Sequence, residues 1–103
     1  MSHADVVQAG LDEKNVAVVN DAVYEATNAA IEAIEKAYDD KVAKVPVNEN
    51  KAFEVAYVTK AAAKVNVYEI ASRAISTMST VASDKRALIA ASAIATIRQI
   101  QGS

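Results

Sequence analysis

Few side chains in this sequence are placed to do covalent chemistry. His3 is the only histidine, and Asp5 is its nearest acidic neighbour; without further nitrogen or sulfur donors it cannot assemble a transition-metal site. Cysteine is absent, which excludes thiolate ligands, disulfides and cysteine nucleophiles. Glu32 and Glu35 could bring two carboxylates together, as metal-binding bundles do, but those sites also need an inward Glu-x-x-His, which is missing. Hydroxyls crowd the segment from Ser72 to Ser83, yet no base is placed to activate one. With only Gly10 and Gly102, there is no glycine-rich phosphate loop. The expectation is a non-enzymatic protein with no catalytic residue, no cofactor and no metal.

Charge is the remaining chemistry. Asp21, Glu25, Glu32, Glu35 and Asp39 recur at helical spacing and form one acidic stripe. Such a stripe is ordinarily a solvated face; the alternative is a carboxylate cluster whose protonation changes assembly. Facing another subunit's stripe, these carboxyls would have raised pKa values; facing Lys60, Lys64 and Arg73, depressed ones. Lys60 and Lys64 project from an otherwise apolar helix face. An unpartnered buried lysine is costly, so both are expected to snorkel or to meet the acids of another helix, most plausibly from the first half of a neighbouring subunit. Within the first helix, Glu32–Lys36 and Asp40–Lys44 have i,i+4 spacing. Residues 1–50 hold ten acids and four bases, and residues 51–103 hold three and seven, so the halves are opposite in sign. The bases are scattered without aromatic interleaving, which argues against nucleic acid as a partner.

These groups ride on long helices. Residues 51–82 contain no Gly or Pro, and their apolar residues recur every three or four positions, which predicts one long helix. Phe53, Tyr57, Val67, Ile70, Ala71, Ala74, Ile75 and Met78 fall on one broad face, with Tyr57 and Tyr68 as core filling or half-wet contacts. Val55, Val58, Ala62 and Val65 fall on the opposite side, interrupted by Glu54, Glu69 and Arg73. An ordinary surface helix needs one apolar stripe; this one has two. An earlier helix is predicted over 12–44, with Val16, Val19, Val23, Ala26, Ala30, Ile34 and Ala37 on one face. Pro46 breaks the ladder within a turn at 45–50, with Asn48 or Asn50 as the next cap, so the two helices form an antiparallel hairpin. The polar run Ser83-Asp84-Lys85-Arg86 predicts a kink or a third helix over 84–101, capped by Ser83 or Asp84; the alternative is a continuation of the second helix, with Asn50 to Gln101 as one rod. Residues 1–11 read as a flexible arm, with Gly10 ending any short helix over 4–9.

The expected fold is therefore all-α, an antiparallel helical hairpin with a possible third C-terminal helix, forming one domain that assembles into a polymer. The self-assembly residues are Val55, Val58, Ala62 and Val65, joined by Leu88, Ala91, Ile94 and Ala95 of the last segment. Composition fits: there are 23 Ala, 14 Val and 8 Ile but only two Leu and one Phe, so helices can approach closely with little area per contact. The start carries no basic-plus-apolar signal segment. The longest nearly apolar run, 87–97, falls short of the about 20 residues that span a bilayer. A cytoplasmic location is expected.

Two stretches carry a resemblance. NVAVVNDA (Asn15 to Ala22), preceded by Asp5-Val6-Val7-Gln8, and VTKAAAKVNVY (Val58 to Tyr68) resemble the small Reb proteins that build R-bodies, the coiled ribbons of some bacteria. Residues 9–14 look like an insertion, and charged residues replace the glutamine-rich middle of that family. The resemblance implies a bacterial ribbon subunit, a homo-oligomer or a co-assembly with paralogous subunits, and ribbons that extend at acidic pH. The hairpin with its Pro/Asn turn also looks like type III secretion needle subunits. Two other readings stand beside it: a membrane-active protein that uses 86–100 as an amphipathic surface segment, with membrane contact secondary, and a small helical-bundle adaptor.

Overall fold

The computed structural model describes residues 16–102, with side chains described at 19–82 and 85–102. The expected arm, the short helix over 4–9, His3 and the start of the first helix at 12–15 lie outside the described residues. Three helices follow in order: α1 Val16–Val42, α2 Asn50–Met78 and α3 Ser83–Gln101, with no strand among the described residues. The fold is all-α. Each helix packs on both others, giving an up–down–up bundle of 54 × 27 × 16 Å.

The core follows the spacing of small apolar residues. Val19, Ala22, Val23, Ala26, Ala30 and Ile34 of α1 meet Val67, Ala71 and Met78 of α2 and Ala90, Ile94 and Ile97 of α3. Thr27 is buried among them, and its hydroxyl donates to the Val23 carbonyl at 2.8 Å, so the polar group is satisfied within its own helix. Ala37, expected on the inward face of α1, is exposed. It borders an open groove that it shares with Ile34, Tyr38 and the end of α3 at Ile100 and Gln101, rather than packed core.

Pro46 breaks the chain as expected. The Glu49 N–H donates to the Pro46 carbonyl at 3.0 Å, and the Ala52 and Phe53 N–H groups donate back to Glu49 at 3.1 and 3.3 Å. The cap position of α2 is therefore Glu49, not Asn48 or Asn50, and its side chain makes no capping hydrogen bond. The second break corrects the predicted helix over 51–82: α2 stops at Met78, and residues 79–82 turn the chain without Gly or Pro. Ser79 and Thr80 hydroxyls donate to the Ser76 and Thr77 carbonyls at 2.7 and 2.8 Å, which competes with the helical ladder. The Thr80 N–H tightens to Thr77 at 3.0 Å. Arg86 then reaches back, its Nε donating to the Met78 carbonyl and its Nη2 to Val81, both at 3.1 Å. A cation at a helix C-terminus satisfies orphan carbonyls and the helix dipole together. The cap of α3 falls on Ala82, one residue before Ser83.

Replacing Arg86 with Ala should cost about 1–2 kcal/mol, since two charge-assisted bonds are lost, one to the last carbonyl of α2 and one to a carbonyl of the turn. Urea unfolding measures this directly; an unchanged midpoint would mean that the turn holds without Arg86.

Candidate functional site

Two features could carry function: the outward face of α2 and a half-buried ion cluster between α1 and α2. On α2 the buried residues Ala56, Val67, Ala71, Ala74 and Met78 define the inward side. Advancing 100° per residue, Val55, Val58, Ala62 and Val65 lie roughly 125–175° from its centre. Val55, Val58 and Val65 are 51, 58 and 57% exposed, and Ala62 is exposed too. The bundle leaves this stripe to solvent. On α3, Leu88 is 71% exposed, and Ala91 and Ala95 also face outward.

Ile94 corrects the expected surface set. It is 2% exposed and sits inside the chain's own core. Because α3 packs on both other helices, its inward stripe must be broad, and Ala90, Ala93, Ile94 and Ile97 fill it at i, i+3, i+4 and i+7. Of their two expected roles, Tyr57 and Tyr68 fit half-wet positions rather than core filling. Both are about half exposed, at the edges of the α2 packing face rather than within it.

The ion cluster joins residues that sequence spacing assigned to different subunits. Lys64 Nζ donates to Glu35 Oε1 at 2.6 Å, and Lys60 Nζ lies 3.5 Å from Glu35 Oε2. The Lys60 side chain is only 16% exposed. Its ammonium lies 4.1 Å from the Tyr38 ring centre and 5.2 Å from that of Tyr57, so two aromatic faces and one carboxylate hold the charge. The lysines thus meet an acid of their own chain. The hydrogen bond from Lys64, reinforced by the two positive charges, holds the Glu35 carboxyl below its usual range; the same bond raises Lys64. For Glu35 the depressed arrangement holds, within one chain. The rest of the stripe is mixed: Asp21, Glu32 and Asp39 are exposed and Glu25 is half-buried. On the α1 surface the formed pair is Lys36–Asp40 at 2.9 Å, which raises Lys36, rather than the expected Glu32–Lys36 and Asp40–Lys44. Lys44 lies past the end of α1 at Val42, so helical spacing no longer applies to it.

A depressed carboxyl adds stability above its unfolded pKa and loses it as pH falls through the folded one. The raised Lys64 adds stability below its unfolded pKa and loses it as pH rises through the folded value. Glu35→Gln should therefore lower stability at neutral pH and flatten its decline below about pH 4.5. Denaturant midpoints from pH 3 to 7 for both chains read this; parallel curves would remove Glu35 from the acid limb.

Beside this cluster, a groove of about 590 Å³ runs past Ile34, Ala37, Tyr38, Ala56 and Ala63 to Ile100 at the end of α3. Among the described residues there is no group of acids, histidines or cysteines that could hold a metal, and no helix long and apolar enough to cross a membrane. The chain matches no protein-family model, no curated protein and no solved structure.

Proposed function

We propose that this chain is a non-enzymatic structural subunit that associates with copies of itself, or with close paralogues, into a filament, ribbon or tube. One observation carries the reading: α2 keeps a second apolar stripe exposed after α1 and α3 have covered its first. Exposed apolar residues scattered singly are ordinary on a monomer, whereas Val55, Val58, Ala62 and Val65 line up along one face of one helix, as at an interaction site. A polymer needs two contacts per subunit, because one self-complementary contact closes a pair; Leu88, Ala91 and Ala95 on α3 offer the second.

An R-body-like ribbon is the finer form of this reading, supported by the strings NVAVVNDA and VTKAAAKVNVY. In such a ribbon Glu35 stays ionised in mild acid beside Lys64.

Negative-stain electron microscopy of the purified protein at pH 7 and pH 5 is the test. Filaments, ribbons or tubes that appear above a threshold concentration are the expected result. Featureless fields across the soluble range would overturn the reading.

A further inference from the structure

The outward stripe of α2 has a pattern beyond being apolar. Val55, Val58, Ala62 and Val65 follow a three-four-three spacing, the seam spacing of paired helices, and Lys51 and Glu69 continue it at either end. All six are exposed. Among the described residues, neither Lys51 nor Glu69 forms an ion pair.

We propose that α2 pairs with α2 of a second copy, antiparallel about a two-fold axis. In the favoured register Val55 faces the partner's Val65 and Val58 faces the partner's Ala62. Lys51 then faces the partner's Glu69 at both ends. The inference rests on the self-assembly reading above and gives it a partner, an orientation and a register.

Charge decides the orientation. A parallel, in-register pair sets Lys51 against Lys51 and Glu69 against Glu69, and like charges held face to face repel. Among antiparallel registers, a slip of one heptad one way sets Glu69 against Val58. The opposite slip sets Lys51 against Ala62. Only the proposed register stacks four apolar layers between two opposite-charge pairs, and it is self-complementary, as a two-fold contact must be. A shallow hollow lined by Val65, Tyr68 and Glu69, with Ser72 and Arg73, lies where the stem of the partner's Lys51 arrives. Four valine and alanine side chains per copy make a small contact, at the low end of specific interfaces. The pair is therefore a weak, concentration-dependent one that a second contact must extend.

The test is a charge exchange read by sedimentation velocity, with circular dichroism confirming the fold of each variant. Lys51→Glu and Glu69→Lys should each weaken self-association by at least about tenfold, because each turns two attractions into repulsions. The double variant should return to within about threefold of wild type. A second readout uses the absence of native cysteine: Val58→Cys chains mixed with Ala62→Cys chains should form the mixed disulfide on oxidation, in preference to either homodimer. Preferred Val58→Cys homodimers would indicate parallel packing and overturn the proposal. Wild type that associates but ignores the charge exchange would overturn the register and leave self-assembly standing. A wild-type chain that stays monomeric would overturn both.

Discussion

Ala62→Glu should abolish self-association while leaving the monomer's helicity unchanged. Ala62 is exposed on α2, opposite the buried side of that helix, so a glutamate there is solvated in the monomer. The expected effect on its stability is within about 0.5 kcal/mol, as at other surface positions. In a packed seam the same carboxylate is desolvated among valines. A charge buried without a partner at an interface costs about 2–5 kcal/mol, a loss of about thirtyfold to several thousandfold in association. Light scattering against concentration reads the loss. Association at the wild-type threshold would remove Ala62 from the contact.

Ile97→Ala should be the most damaging single truncation on α3. Ile97 is fully buried, in the cluster to which all three helices contribute. Isoleucine-to-alanine changes in cores cost about 2–5 kcal/mol through lost burial and the cavity left behind. That is a large part of the 5–15 kcal/mol that holds a typical domain, and for a chain of this size it corresponds to a fall in Tm of about 10–20 °C. Leu88→Ala, on the exposed side of the same helix, should move the monomer's stability by no more than about 0.5 kcal/mol. The contrast separates a folded-back bundle from a continuous α2–α3 rod, in which Ile97 would have no α1 to pack against. Comparable effects at the two positions in thermal melts would contradict the bundle.

The sequence patterns that proved readable are those that depend on one helix at a time. The absence of Gly and Pro, the apolar periodicity and the break at Pro46 mark α1, α2 and the first turn. The same periodicity put Val55, Val58, Ala62 and Val65 on the side of α2 away from its core. Features that depend on two helices were not readable. Lys60 and Lys64 meet Glu35 of their own chain because the hairpin's register brings them together, and no single-helix pattern encodes that register. Ile94 turns inward because α3 docks between two helices and needs a wider apolar face than a helix docking on one. The stop at Met78 rests on hydroxyl back-bonding at Ser79 and Thr80 and on Arg86 returning from the next helix. A run of serines and threonines signals the first of these only weakly, because the same residues also occur inside helices. Lys36 choosing Asp40 over Glu32 is a choice between equal spacings, and the favoured order in isolated helices, acid before base, points the other way.

The central claim is that the exposed stripe of α2 is a contact between copies. Sedimentation velocity of wild type and Ala62→Glu, side by side over a hundredfold range of concentration, tests it most directly. Wild type should shift from the 10.9 kDa monomer to larger species as concentration rises, while Ala62→Glu should sediment as the monomer throughout. Identical profiles for the two chains, whether both monomeric or both assembled, would contradict it.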